Sequence, residues 1–307
     1  MMARLLLATI VLLQLAVALA IGWGVLHWWP QGGPWGAALL ALACVAAVRL
    51  AINLNNFAMA ARAASVTPDE HRLDWRGALR LFYTEFRASM LTTSWHMLRP
   101  DRNLHLATGM PVLLLHGYGC NSGYWVHLSA RLRRAGISHM ALDLEPIAGS
   151  IDQYADSIHG ALQRLCKATG SPRAVIVAHS MGGLASRAYL RRHGADKVAK
   201  VITLGTPHHG TALATFGPGV NAREMRLGSP WLAALAAGET AQTRALFVSL
   251  WSHHDNIIAP QNSSFLPGAR NIEFSGIGHV ALGADARILR VVEDEIASIT
   301  AEFNCAQ

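Results

Sequence analysis

Residues 174–183 read A-V-I-V-A-H-S-M-G-G, and Ser180 stands where an apolar run meets two glycines. A serine hydroxyl is a weak nucleophile, so chemistry at Ser180 needs a general base and a carboxylate that orients the base. The chain has 15 histidines, so position and not residue type must select the base. His279, inside Gly276-Ile277-Gly278-His279, is the candidate, and Asp255 is the candidate acid. Each follows an apolar run, and the order serine, acid, histidine is one that triads on parallel sheets use. Asp143 and Asp285 are the rival acids. His253 and His254 adjoin Asp255 too closely to serve as its base, and His208 and His209 precede any suitable acid. His208, with His179 beside the serine, is therefore expected to bind substrate. A tetrahedral intermediate also needs preorganised N–H donors. The backbone of Met181, directly after Ser180, supplies one, and that of Tyr118, in the turn His116-Gly117-Tyr118-Gly119, is the candidate for the other.

These residues need elements that bring them together. Small residues two positions either side of Ser180, Ala178 and Gly182, allow a strand and a helix to approach closely around a sharp turn. Further apolar runs over 111–115, 137–144, 198–204, 244–251 and 271–275 read as strands buried on both faces. Helical patterns lie between them at 122–134, 151–168 and after the serine, with a closing helix over 285–303. Alternating strands and helices predict an α/β fold, a mostly parallel sheet covered by helices, in a domain spanning 110–307. The candidates then gather at the carboxyl ends of the strands, where such sheets form sites. Residues 211–243 break the rhythm with Gly217-Pro218-Gly219 and an apolar helix near Trp231, and are expected to form a mobile lid.

The remaining third is different. Leu5 to Leu26 is almost wholly apolar and long enough to cross a bilayer. A turn, W-W-P-Q-G-G-P-W, leads into a second apolar segment, Trp35 to Val48, that stops at Arg49. Tryptophans favour the membrane interface, so residues 1–60 are expected to form a two-helix membrane hairpin, the second helix crossing imperfectly. Ala18-Leu19-Ala20 also resembles a signal-peptidase site, which keeps a cleaved, exported form as the alternative. Residues 61–109 are a connector with an amphipathic helix from Asp74. Its stripe, Trp75, Leu79, Phe82, Phe86 and Met90, is expected to cover the core, or else to lie on a membrane surface. The charge-free turn between the helices and the arginines at 4, 62, 72, 76 and 80 lead to the expectation that both termini, and the catalytic domain, lie on the cytoplasmic side of an inner membrane. The net charge is +7, yet no run of five Lys or Arg points to nucleic acid. Four cysteines without CxxC spacing favour free thiols, and no metal or cofactor motif is present.

From Pro111 onward the chain resembles bacterial triacylglycerol lipases of the α/β-hydrolase superfamily, especially small lipases whose turn before the serine begins with Ala. The resemblance rests on V-L-L-L-H-G-Y-G, V-A-H-S-M-G-G, T-L-G-T-P-H-H-G-T, S-H-H-D-N-I-I-A-P and L-P-G-A-R-N-I-E-F-S-G-I-G-H. It implies Ser180 as nucleophile, Asp255 as acid, His279 as base, and Tyr118 and Met181 as oxyanion donors. It also implies a lipid or acyl-ester substrate. The competing expectations are a thioesterase, acyltransferase or amidase on the same fold, or a non-catalytic lipid-binding or transport protein. Oligomeric state leaves no mark in the sequence.

Overall fold

The computed structural model describes residues 2–305. Two long helices open it, α1 (Met2–Trp28) and α2 (Gly33–Arg62), both long and apolar enough to cross a membrane. Helix α3 (Trp75–Ser94) follows, capped by the Asp74 carboxylate, which accepts from Gly77 N at 2.7 Å. The sheet domain then alternates: β1 (Thr108–Leu115), α4 (Val126–Arg134), β2 (Ile137–Leu142), α5 (Tyr154–Thr169), β3 (Ala174–His179), α6 (Met181–His193) and β4 (Val198–Leu204). Three short helices come next, α7 (Val220–Glu224), α8 (Pro230–Ala237) and α9 (Ala241–Ala245). Strands β5 (Phe247–Ser252) and β6 (Arg270–Phe274) and helix α10 (Ala286–Cys305) complete the chain.

The sheet has six strands in the order β2-β1-β3-β4-β5-β6, and every neighbouring pair is parallel. Side chains alternate across it, as the two-residue period of a strand requires. Leu113, Leu115, Ile176 and Ala178 face one core with Ile158 and Leu162 of α5 and Leu184 of α6. Val112, Leu114, Val175 and Val177 face the other, with Leu128 of α4 and Ile288 and Val292 of α10. Both faces being covered explains why the strands read as unbroken apolar runs. All six carboxyl ends therefore point to one edge, and the loops there hold the candidate residues.

Two expectations need correction. Helix α2 does not stop at Arg49 but continues to Arg62. The Arg49 guanidinium meets Gln14 Oε1 at 2.6 Å, Thr93 Oγ1 at 3.0 Å and Ser94 Oγ at 2.8 Å, so α1 and α3 satisfy the charge without ending the helix. Helix α3 turns a different face to the domain than its apolar stripe. Leu81, Glu85 and Thr92 are buried, while Trp75 and Leu79 are 68% and 61% exposed, and Phe82 packs on Phe57 of α2. Residues 211–243 are joined to the rest of the domain by several side-chain bonds. Glu224 accepts from Ser150 Oγ and Ile151 N, Trp231 Nε1 donates to Asp152, and Glu239 pairs with buried Arg187 through two bonds of 2.5 and 2.9 Å.

Candidate active site

Ser180 is the turn between β3 and α6. Its backbone lies at φ 53°, ψ −124°, and it is the single non-glycine residue at positive φ among those described. Such a conformation costs an L-residue of order 1–3 kcal/mol and persists only where the surroundings enforce it. Here Ser180 N donates to Leu204 O at 2.9 Å, and Thr206 Oγ1 donates to Ser180 O at 2.9 Å. The space is as tight as the sequence implied. A Cβ on Gly182 would stand 2.6 Å from the Leu115 carbonyl oxygen, and one on Gly117 would stand 2.8 Å from Ser180 Cβ. The strain lifts the serine hydroxyl towards the cavity that Ser180 lines.

Asp255 and His279 are brought together. Asp255 Oδ2 meets His279 Nδ1 at 2.7 Å, both residues being buried. The other oxygen, Oδ1, accepts from Ile257 N and Ile258 N at 2.8 Å each, which fixes the carboxylate. Burial disfavours a charged imidazole at His279, but the Asp255 and Glu85 carboxylates outweigh it and hold its pKa above the ordinary value. The rival acids are engaged elsewhere: Asp143 accepts from Ser122 N and pairs with Arg102, and Asp285 binds Arg287. The Ser180 hydroxyl makes no hydrogen bond to His279 among the described residues, a gap that ligand-free sites commonly show before substrate tightens them.

Met181 is the first residue of α6, so its N–H has no intrahelical acceptor. Tyr118 lies across the cavity mouth, its hydroxyl donating to Pro218 O at 2.6 Å. The turn it occupies is braced by buried His116, whose Nδ1 donates to Gly117 O at 2.8 Å while Nε2 accepts from Leu144 N at 2.9 Å. Burial pushes the His116 pKa down, which suits a ring that must accept at Nε2.

His179 and His208 do not line the cavity over Ser180, contrary to expectation. His179 is 2% exposed, stacked on Tyr124 with centroids 4.1 Å apart, and its Nε2 donates to the His279 carbonyl at 3.2 Å. Burial drives its pKa well down. It braces His279. His208 is equally buried against Thr203 Oγ1 and the edge of Phe247, and its carbonyl accepts from Arg187. A residue beside a nucleophile on a parallel strand alternates to the far face, which is why adjacency misled for His179.

Two residues that the sequence reading passed over hold the loops of Asp255 and His279. The Glu85 carboxylate accepts from Val280 N at 3.0 Å and Ala281 N at 2.9 Å, the two residues after His279. Burial raises its pKa, and its two backbone donors and His279 oppose that. Glu85 is the sole acid within α3, a signal the arginine-rich pattern concealed. Gln261 Nε2 donates to the Asp255 carbonyl at 3.0 Å, and its Oε1 accepts from Ser65 N at 3.0 Å. Residues N-terminal to the sheet thus brace both the Asp255 loop and the His279 loop.

Beside Ser180 opens a cavity of about 430 Å³, walled by Leu213, Phe216, Met225, Ile257 and Ile258 and, from α2, Asn55, Asn56 and Met59. Its apolar lining suits a hydrocarbon chain. One group, His71, His253 and Glu273, sets three possible metal donors within 4.8 Å of one another. Its two imidazoles stack at 4.3 Å, and none of the three lines the cavity.

Comparison with known proteins bears on this arrangement. Residues 110–246 match a family model described as the alpha/beta hydrolase fold. A triacylglycerol lipase of Pseudarthrobacter phenanthrenivorans is 28% identical over 120 residues, covering 36% of this chain and 37% of that protein. A triacylglycerol lipase of Burkholderia plantarii is likewise 28% identical over 120 residues, covering 36% of this chain and 33% of that protein. The matched stretch is thus about a third of these relatives' length. Among solved structures, the mature lipase BlEst2 of Bacillus licheniformis superposes with a TM-score of 0.54 at 18% identity, covering 64% of this chain and 95% of that one. At that identity the likeness speaks for the fold.

Proposed function

We propose that the sheet domain of this chain is an α/β-hydrolase domain of the lipase and esterase type, and that the protein is a membrane-anchored serine hydrolase cleaving carboxylic acyl esters. The observation that carries the reading is Ser180 held at positive φ on the strand-helix turn, with the Asp255–His279 pair at 2.7 Å on the neighbouring strand ends.

In this reading His279 Nε2 takes the proton as Ser180 Oγ attacks the ester carbonyl carbon. The Nδ1–H keeps donating to Asp255 Oδ2, which orients the ring and stabilises the imidazolium. The carbonyl oxygen becomes an oxyanion facing the N–H groups of Met181 and Tyr118. Collapse breaks the bond to the alcohol oxygen, which leaves with the proton from His279, and Ser180 keeps the acyl group. Water, deprotonated by His279, then attacks the acyl-enzyme and releases the acid and free serine. Removing one oxyanion donor from such a site costs on the order of a hundredfold or more in kcat.

Matched ester, thioester and amide substrates with one acyl chain test the assignment. The ester is expected to turn over fastest, and Ser180→Ala is expected to lose at least about a thousandfold, by comparison with other triads. A preference for thioester or amide would move the protein to another reaction on this fold, and undiminished turnover by Ser180→Ala would remove the serine from the mechanism.

A further inference from the structure

The strand ends near Asp255 carry a second cluster, one that the hydrolase reading does not use. The register of β5 on β6 pairs Trp251 with Glu273. Residues two apart on a strand share a face, so His253, one residue past β5, stands on the side of Glu273. His253 N donates to Phe274 O at 2.9 Å and fixes that alignment. The turn Asp69–His71, ahead of α3, lays the His71 ring on the His253 ring with centroids 4.3 Å apart. Both Nε2 atoms approach one carboxylate oxygen. Glu273 Oε2 lies 2.8 Å from His253 Nε2 and 3.8 Å from His71 Nε2.

A hydrogen bond uses one of these nitrogens and leaves the other, at 3.8 Å, too far for a bond of its own. A divalent metal uses both. Zinc bonds to imidazole nitrogen and carboxylate oxygen are about 2.0–2.2 Å long, and at a tetrahedral angle they set donors about 3.3–3.5 Å apart. The separations of 2.8 and 3.8 Å straddle that spacing, and all three donors lie within 4.8 Å of one another. His253 Nδ1 is buried without a partner, so it is unsatisfied whichever ring nitrogen carries the proton. Moving the proton to Nδ1 therefore frees Nε2 to ligate and breaks no bond at Nδ1. The His253 side chain is 5% exposed, while those of His71 and Glu273 are 24% and 40% exposed. The cluster is thus anchored inside and reached by water from outside. Two imidazoles and one carboxylate suit zinc, whereas calcium takes oxygen donors.

We propose that His71, His253 and Glu273 bind one zinc ion, with water in the fourth position, as a structural clamp. It joins the segment between α2 and α3 to the ends of β5 and β6. Ser65, from the same segment, bonds Gln261, which in turn holds the Asp255 carbonyl. His253 is two residues before Asp255, so the metal adds a second tie between that segment and the Asp255 loop. The proposal is independent of the hydrolase reading, because it requires nothing of Ser180.

The test uses the full chain without an affinity tag, in detergent micelles, stripped with a chelator and dialysed. Zinc alone is titrated, bound metal is counted by mass spectrometry after equilibrium dialysis, and Tm is read in parallel. The wild type is expected to hold one zinc per chain and to gain Tm as free zinc rises, as a ligand of the folded state requires. His71→Ala and Glu273→Gln each remove one donor. Each is expected to weaken Kd at least about tenfold, no less than the loss of a ligand's supporting partner costs, and to lose the gain in Tm. Circular dichroism of each zinc-free variant reports that it is folded. With 15 histidines in the chain, adventitious binding needs a control. His159→Ala disrupts another stacked pair, His159 and His193 beside Asp156, and is expected to leave Kd unchanged. Excess calcium is expected to leave the zinc in place. A wild type that retains no zinc, an undiminished Kd in His71→Ala and Glu273→Gln, or zinc lost in His159→Ala would overturn the proposal.

Discussion

At the scale of single residues the site is a set of constraints around a strained serine. Gly182 and Gly117 leave room for the approach of β1 to the turn, and Leu204 and Thr206 hold the turn's backbone. The acid and base are held by less visible means. Glu85, from outside the sheet, satisfies two consecutive N–H groups after His279 and adds a second carboxylate beside it. Glu85→Gln separates these roles. A carboxamide oxygen accepts one of those bonds well and its NH₂ none, leaving a buried donor unmet at a cost of about 1–3 kcal/mol. Losing the negative charge also lets the His279 pKa fall. The base works only when neutral, and a lowered pKa keeps it neutral to lower pH. The acid limb of kcat/KM is therefore expected to move to lower pH in Glu85→Gln, while the maximal rate drops. A rate lowered at every pH with the limb in place would mean that Glu85 acts on structure alone.

At the scale of elements the N-terminal segment is bound to the loops that carry the proposed catalytic residues. Helix α3 brings Glu85, the residues after α2 bring Ser65 to Gln261, and α2 lines the cavity. Arg49, which reads in the sequence as a barrier to crossing, is gathered by Gln14, Thr93 and Ser94, so a charge inside the hairpin joins three helices. Ionisable groups at membrane depth are costly unless paired in this way. The outward faces of α1 and α2 remain apolar, with Leu5, Leu12, Leu19 and Leu42 exposed. The proposal of two crossings, with arginines flanking both ends, predicts the domain on the cytoplasmic face. A C-terminal alkaline phosphatase fusion is expected to be inactive at normal expression. An active fusion would place the domain outside and favour cleavage near Ala20.

At the scale of the whole molecule, what was legible in the sequence follows physical range. The parallel sheet could be read because strands buried on both faces leave continuous apolar runs, and the turn at Ser180 because close backbone approach demands small residues at fixed offsets. The loops bearing Asp255 and His279 follow from strand order. Contacts made across long sequence separations left little trace. Glu85 and Val280 stand 195 positions apart, and Ser65 and Gln261 stand 196 apart, so no local pattern links them. The stripe on α3 misled because the helix packs against α2 as well as the sheet domain, and periodicity does not say which face meets which. The glycine- and proline-rich stretch of 211–243 suggested motion, yet the Arg187–Glu239 pair, itself buried, joins it to the helix after the serine.

The central claim is that Ser180 is an activated nucleophile in the intact, membrane-held protein. Reaction of the full chain in vesicles with a fluorophosphonate, followed by mass spectrometric mapping of the modified peptide, tests it most directly. The account predicts a single phosphonylated residue, Ser180, with labelling absent in Ser180→Ala and slowed by orders of magnitude in His279→Ala, whose serine lacks its base. Label on another residue, or labelling of Ser180 at an undiminished rate without His279, would contradict it.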